Sequence, residues 1–358
     1  CNNIFHIIYL FEIKKYKKQT YPKYAPQKKK KEKKKNYKKY IENKITPVIP
    51  RTVQQRLNII ERLLLSKETF VSFSLQEVKN LFEQNTFDDI SSKMYICIDM
   101  AHGTLNSLYE TCKNIKTKYE DKVIIMTGNV NTPLAYIHYA DAGVDYLRLT
   151  IGSGSRCTTA CAVGVFSGTA TLIDEIRMEK ERWETMTGKP APTKIIVDGG
   201  IDWYDKIQKS IALGADGVMI GKLFAECDEA CGFIGYSETE EEFSNGIFYT
   251  REDYEIYKKV SDEELTLFGG KRRFLQPYRM YRGMSHRSSQ KLMGGDGSKV
   301  SEGICKAVKV KYSLAHWVNN MDSYLRSSMT YTDSPTIKEL QNAEVVILGG
   351  NGKMAYAK

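Results

Sequence analysis

Short apolar runs alternate with longer amphipathic segments from residue 45 onward. The runs occupy residues 48–49, 70–73, 95–98, 123–126, 146–151, 194–197 and 217–220, and most are rich in β-branched or aromatic residues. This pattern is typical of buried parallel strands. Between the third and fourth runs, apolar residues recur at helical spacing from Leu105 to Tyr119, and only Lys116 falls on the apolar face. Strands that alternate with such helices predict an α/β fold with a parallel sheet.

Nearly every predicted strand is followed by a polar or glycine-rich loop. A doubly wound sheet concentrates its ligand at one switch point, whereas a barrel gathers the carboxyl ends of all its strands round one mouth. The loops therefore favour a (β/α)8 barrel, although only seven of its eight strands are found. The loop sequences are Asp99-Met-Ala-His-Gly103, Thr127-Gly-Asn129, Gly152-Ser-Gly-Ser155, Asp198-Gly-Gly200 and Gly221-Lys222.

Three of these loops carry candidate chemistry. Cys157 follows the glycine-serine loop at the carboxyl end of a predicted strand, which is where a barrel enzyme holds a nucleophile. A small buried cysteine without catalytic function is the alternative interpretation. The glycines after the last two strands can present backbone N–H groups to a phosphate, so a phosphorylated substrate is expected.

Composition and charge separate the N-terminal segment from the rest. Residues 1–40 contain 14 lysines and two glutamates, so the remaining residues have a net charge of −2 while the whole chain has +10. We interpret residues 1–44 as a disordered or non-native lysine- and tyrosine-rich tail, with RNA binding as the alternative. Eight cysteines without a disulfide-framework pattern favour a reducing, cytoplasmic location. The apolar stretch at residues 4–11 is too short to span a membrane.

Five motifs, in order and spacing, resemble the family of IMP dehydrogenases and GMP reductases. The resemblance implies a barrel over residues 45–358 in which the Cys157 thiolate attacks carbon 2 of a purine nucleotide 5′-monophosphate. It also implies NADPH or NAD as cofactor, a homotetramer and a monovalent cation such as potassium. The motifs are Asp99-Met-Ala-His-Gly, Gly128-Asn-Val, Gly152-Ser-Gly-Ser-Arg-Cys-Thr-Thr, Asp198-Gly-Gly and Tyr281-Arg-Gly-Met-Ser.

The same resemblance assigns roles to individual residues. Cys157, Thr159 and Glu302 match the catalytic positions. Asp99 and Asn129 lie where members of the family contact the nicotinamide riboside. Gly152, Gly154 and Cys157 match the positions for the monovalent cation. The nucleotide-binding positions are Ser155, Gly200, Gly221, Lys222 and Tyr281 for the phosphate, Asp198 for the ribose, and Gly283, Met284 and Ser285 for the base.

The resemblance favours GMP reductase over IMP dehydrogenase. No regulatory insertion is visible, and the flap at residues 285–303 is short and lacks an Arg-Tyr pair. Ser153, where reductases typically have proline, and Ile201 favour the dehydrogenase instead. Thr150 replaces a glycine that is usual in the family, and Ala160 begins a stretch without the usual basic residue. A nucleotide- or RNA-binding member without activity is therefore a third alternative.

Three segments depart from the family pattern. Residues 227–276 form an insertion that either lies over the barrel mouth or is disordered. The family's first strand, with its Ser-Pro-Met motif, has no match before residue 45, and we expect that it is lost, as in a fragment; the alternative is that residues 4–11 substitute for it. Residues 312–329 resemble the family's closing helix, and residues 345–348 are predicted as a terminal strand-like segment.

Overall fold

The computed structural model describes residues 6–10, 38–53, 57–88, 92–267 and 272–347. Eight parallel strands pair in chain order into a closed barrel, as the alternation of strands and helices predicted. All seven strands expected from the sequence are present. The strands are β1 (His6–Leu10), β2 (Thr46–Ile49), β3 (Phe70–Phe73), β4 (Met94–Asp99), β5 (Val123–Val130), β6 (Tyr146–Leu149), β7 (Lys194–Asp198) and β8 (Gly217–Ile220).

The first barrel position is filled from the N-terminal segment. The sequence predicted that this position would stay empty, because the family's Ser-Pro-Met strand has no match in the chain. In the structure β1 lies between β2 and β8, with Ile8 opposite Thr46 and His6 opposite Gly217. The structure therefore agrees with the alternative prediction, in which the segment at residues 4–11 replaces the family's first strand and the barrel is closed.

The packed part of the chain begins before residue 45. Residues 38–42 are helical, and Tyr40 is fully buried with its ring centroid 5.6 Å from that of Phe224. Most of the lysine-rich segment lies outside the described residues, so its predicted disorder remains a prediction.

Helices cover the outside of the barrel and follow its strands. Those before the second sheet are α1 (Ile59–Leu65), α2 (Leu75–Glu83), α3 (Asn106–Tyr119), α4 (Ala135–Asp141), α5 (Thr159–Val163), α6 (Thr169–Thr187), α7 (Tyr204–Ala212) and α8 (Lys222–Ala225). Lys116, the polar exception on the inner face of α3, forms a 3.0 Å ion pair with Asp145. Its ammonium also donates to the carbonyls of Glu120 and Val123, so the charge on the apolar face has hydrogen-bond partners.

Side chains at alternate strand positions point into the barrel and form a lower apolar layer. Tyr95 and Tyr146 pack edge-to-face on Phe70, with ring centroids 5.4 and 5.5 Å away. The layer is completed by buried Val48, Cys97, Ile124, Met126, Ile196 and Met219. The next inward positions towards the carboxyl ends of the strands are polar, which places the chemistry at the barrel mouth.

The insertion is folded, and it contributes to a second sheet. Its helices are α9 (Glu240–Ser244), α10 (Arg251–Tyr257) and α11 (Asp262–Leu267). Strands β9 (Gly235–Ser237), β10 (Gln276–Arg282) and β11 (Cys305–Lys309) form an antiparallel sheet in the order β11-β10-β9. Arg273 donates to Glu238 and Glu242, each at 2.7 Å, so basic and acidic parts of the insertion pair with each other. For its described residues, the disordered alternative is excluded.

The chain then continues through α12 (Arg287–Leu292), α13 (Leu314–Tyr331) and α14 (Ile337–Leu340). Helix α13 confirms the expected closing helix. Residues 345–347 form no strand, which corrects that prediction, and residue 348 lies outside the described part. None of the helices within the described ranges is long and apolar enough to cross a membrane.

Candidate functional site

Three predicted catalytic residues form one hydrogen-bonded chain. The Cys157 thiol donates to Thr159 Oγ1 at 3.1 Å, and the Thr159 hydroxyl donates to Glu302 Oε2 at 2.7 Å. Cys157 lies in the loop after β6, whereas Glu302 is 145 positions further along the chain. A carboxylate is therefore connected to a thiol through one hydroxyl, which is an arrangement that can move a proton from sulfur to oxygen.

Backbone hydrogen bonds hold the segment that carries Cys157 and Thr159 against the segment that carries Glu302. Thr158 N–H donates to the Glu302 carbonyl at 2.8 Å, and Ile304 N–H donates to the Arg156 carbonyl at 2.9 Å. A Cβ atom at Gly283 would lie 2.8 Å from that same Arg156 carbonyl oxygen, so only glycine lets β10 approach here. The cysteine loop and the flap are thus fixed by main-chain contacts, independently of a ligand.

Arg148 joins two carboxylates at the barrel mouth. Its guanidinium lies 2.8 Å from Asp99 Oδ1 and 2.6 Å from Asp198 Oδ2, and its side chain is only 5 % exposed. Burial alone would lower the pKa of Arg148, but the two carboxylates raise it well above its ordinary value, so the guanidinium stays charged. Asn129 Nδ2 donates to the same Asp198 oxygen at 3.1 Å, so Asp99, Asn129 and Asp198 form one network.

The predicted phosphate-binding residues also converge. Gly199 and Gly200 have φ angles of +109° and +76°, which turn the loop after β7 beneath the cysteine loop. The Tyr281 hydroxyl lies so close to Gly221 that a Cβ there would overlap it. The Arg156 guanidinium is 5.5 Å from the Tyr281 ring centroid, and Ser155 beside it is exposed. Tyr281 is therefore in contact with Gly221 and near the Arg156 guanidinium, and phosphate binding by these residues stays a prediction.

Cys97 in β4 and Cys112 in α3 are buried, whereas Cys157 is not. Burial raises the pKa of Cys97 to about 11 and that of Cys112 to about 12, so both remain protonated. Cys157 is partly exposed at the mouth. Of these three cysteines, only Cys157 is partly exposed and also donates a hydrogen bond to the hydroxyl of Thr159.

Comparisons with known proteins point to the family that the sequence motifs resemble. Residues 76–245 match the model of the IMP dehydrogenase / GMP reductase domain. This segment of the chain is therefore similar to that family. The chain is 28 % identical over 255 residues to the inosine-5′-monophosphate dehydrogenase of Mycobacterium bovis, covering 70 % of this chain and 42 % of that protein. It is 36 % identical over 189 residues to the GMP reductase of Helicobacter pylori, covering 53 % and 52 % of the two chains.

A second GMP reductase, that of Clostridium acetobutylicum, is 28 % identical over 323 residues, which covers 88 % of this chain and 81 % of that protein. The alignment to the mycobacterial protein spans about two fifths of that relative's length. Relatives of the domain thus carry both names, and both names denote oxidoreductases that act on purine nucleotides.

The predicted base-binding residues Gly283, Met284 and Ser285 follow β10 directly. The Ser285 carbonyl accepts from Gln290 Nε2 at 3.0 Å, so the loop is anchored to α12. His286 caps that helix by accepting from Ser288 N–H. This loop is therefore preformed beside the catalytic residues, and its contact with a purine base stays a prediction.

The predicted cation site remains a prediction. Gly152 has φ of +83°, and a Cβ there would lie 2.8 Å from the Val165 carbonyl oxygen, so the loop is tightly packed at this point. Within the described residues, no group of three or more His, Cys, Asp or Glu side chains could hold a metal ion. That finding does not bear on a potassium site made of carbonyl oxygens.

Sequence reasoning missed the role of Arg148. An arginine flanked by Leu147 and Leu149 in a buried strand is a recognisable signal, because alternate strand positions face opposite sides. With both leucines facing the helices, Arg148 must enter the barrel, and a buried arginine needs carboxylate partners. Lys222 was predicted at the phosphate, and the structure places it in the first turn of α8, directly after Gly221.

Proposed function

We propose that the protein is a GMP reductase, which uses NADPH to convert GMP into IMP and ammonia. The observation that carries the proposal is the hydrogen-bonded chain from Cys157 through Thr159 to Glu302. The amino group is a poor leaving group unless it is protonated, and this hydrogen-bonded chain puts a proton donor beside the nucleophile. Similarity to the IMP dehydrogenase / GMP reductase domain and to relatives named for both reactions supports a purine nucleotide as substrate.

Nucleotide binding follows from the mouth residues. The three donors that reach Asp198, two from Arg148 and one from Asn129, all bind Oδ2. Among the described residues no donor reaches Oδ1, so this oxygen is available to accept from the ribose hydroxyls. Ser155, Tyr281 and the glycine amides then take the phosphate, which leaves carbon 2 of the base to face Cys157.

The reaction proceeds in two stages. The thiol proton passes through Thr159 to Glu302, and the thiolate adds to carbon 2 of the purine. Glu302 returns that proton to the amino group at carbon 2, the carbon–nitrogen bond breaks to release ammonia, and carbon 2 stays bonded to the Cys157 sulfur. The reduced nicotinamide, when bound, would supply the hydride that replaces sulfur at carbon 2, which would leave IMP and a Cys157 thiolate that takes up a proton from solvent.

The mouth also has the polarity that a nicotinamide riboside needs. Asp99 is 19 % exposed and uses Oδ1 for Arg148, so its carboxylate is held at the edge of the site rather than buried. Asn129 is fixed between the Thr150 carbonyl and Asp198. These two residues would hold the cofactor, whose chemistry when bound is hydride transfer.

IMP dehydrogenase activity is the second candidate. Ser153 replaces the proline typical of reductases, and Ile201 follows Asp198-Gly-Gly as in dehydrogenases. Against it, the chain from Ser285 to Glu302 folds back through α12 onto the catalytic residues and contains no Arg-Tyr pair for hydrolysis of the adduct.

The deciding experiment follows the absorbance of the reduced cofactor in two samples, GMP with NADPH and IMP with NAD. The proposal predicts consumption in the first sample, ammonia release in equal amount, and no production in the second. Cys157→Ala should abolish turnover while keeping nucleotide binding, and Cys161→Ala, an exposed cysteine one helical turn away, is the matched control. Production of reduced cofactor in the second sample alone would overturn the proposal in favour of the dehydrogenase.

A further inference from the structure

Thr150 has a backbone conformation that its side chain disfavours. Its φ is +79°, and β-branched residues rarely adopt this left-handed region. Glycine, which is usual at this family position, would adopt it without strain. The structure must therefore supply contacts that hold Thr150 in place, and those contacts involve Ser153 and Asp198.

The hydroxyls of Thr150 and Ser153 form a bonded pair. Thr150 Oγ1 donates to the Asp198 carbonyl, and Ser153 Oγ lies 2.8 Å from Thr150 Oγ1. Because the Thr150 hydroxyl proton is used at Asp198, Ser153 is the donor in the second bond. Thr150, which departs from the family pattern, is thus directly joined to Ser153, which stands where reductases typically have proline.

Ser153 also contacts the loop after β7. A Cβ at Gly199 would lie 2.6 Å from Ser153 Oγ, and Gly199 has φ of +109°. The hydroxyl pair therefore connects the end of β6, the loop that carries Ser155 and Cys157, and the loop that carries Asp198 and Gly200. Proline would stiffen this loop by fixing φ, whereas here a hydrogen bond can take over that restraint.

We propose that Thr150 and Ser153 act as a positioning pair that fixes the cysteine loop against the Asp198 loop, so that the phosphate and ribose positions stay aligned with Cys157. This inference rests on the proposed function for its consequence in nucleotide binding. The restraint itself is a property of the free protein and can be measured without a nucleotide.

The first test is amide hydrogen exchange of residues 151–158 in the free protein. Thr150→Val keeps the branched shape and loses the hydroxyl, and Ser153→Ala loses the donor. Each should speed exchange of the Cys157 amide, which is bonded to the Gly154 carbonyl at 2.9 Å, by about tenfold for one lost hydrogen bond. Thr150→Ser should keep wild-type exchange. The matched control is Thr185→Val, which removes an exposed threonine hydroxyl that donates to the Glu181 carbonyl.

The second test is the dissociation constant of GMP and of IMP, measured by calorimetry. Thr150→Val and Ser153→Ala should each weaken binding by about tenfold. The double variant should show a smaller loss than the two single losses combined, because both remove the same hydroxyl pair. Thr150→Gly with Ser153→Pro should restore wild-type binding.

The outcomes separate the two proposals. Unchanged exchange in both single variants, or single effects on exchange that combine fully in the double variant, would overturn the positioning pair. A wild-type protein that binds neither nucleotide while its loop exchange responds as predicted would overturn the proposed function and leave the positioning pair supported.

Discussion

Replacing Arg148 with methionine should destabilise the barrel strongly. The side chain is 5 % exposed, while its partners Asp99 and Asp198 are 19 % and 21 % exposed. Removing one member of a buried ion pair costs about 3–5 kcal/mol, because the remaining charge is left without a partner. Since both carboxylates retain some contact with water, we expect the lower end, about 3 kcal/mol, which lowers the ratio of folded to unfolded protein roughly 100-fold.

Urea unfolding of Arg148→Met and of Arg177→Met measures this difference. Arg177 is 35 % exposed and pairs with Asp174 and Glu181 on the surface of α6, so its loss should cost less than about 1 kcal/mol. Adding Asp99→Asn and Asp198→Asn to Arg148→Met should recover stability, because the stranded charges are then removed. If Arg148→Met is no less stable than Arg177→Met, the reasoning about a buried charge network is refuted.

Three further predictions concern other parts of the structure. Burial would raise the pKa of Glu77, but hydrogen bonds from Arg62 and Ser74 lower it below its ordinary 4.5. Wild type should therefore have a larger free energy of unfolding than Glu77→Gln above pH 4.5, and urea unfolding should show this difference shrinking as the pH falls below 4.5. Arg156→Met should raise the KM for the nucleotide about fivefold at low salt, with a smaller change at high salt in the same assay. Thr159→Val should lower kcat by about 100-fold or more and leave the dissociation constant of GMP within about twofold in calorimetry; an unchanged kcat would contradict the proton path.

The barrel was largely predictable, because its strands are short apolar runs and its helices have one apolar face. Glycine and polar residues also marked the carboxyl ends of those strands. Since a barrel gathers these ends at one mouth, the sequence predicted that Asp99, Cys157 and Asp198 lie there together. Lys116 shows the limit of periodicity. Its place on an apolar face became understandable only when the structure put Asp145 within 3.0 Å of it.

Other features depend on contacts between distant segments, which a periodic pattern does not encode. From the sequence alone, the insertion has the composition of a charged surface segment. The structure shows that Arg273 binds Glu238 and Glu242 within it. The strand β1 gains its place only from pairing with β2 and β8 at opposite edges of the sheet. The sequence motifs show that Thr150 departs from the family pattern, whereas its hydrogen bond to Ser153 is seen only in the structure.

The most direct test of the account is to find where the nucleotide becomes attached during turnover. The protein is mixed with GMP and NADPH, quenched with acid within the turnover time, digested and examined by mass spectrometry. The account predicts a purine nucleotide adduct on the peptide that contains Cys157, and none in Cys157→Ala. Turnover of GMP with no adduct on Cys157, or with an adduct on another cysteine, would contradict it.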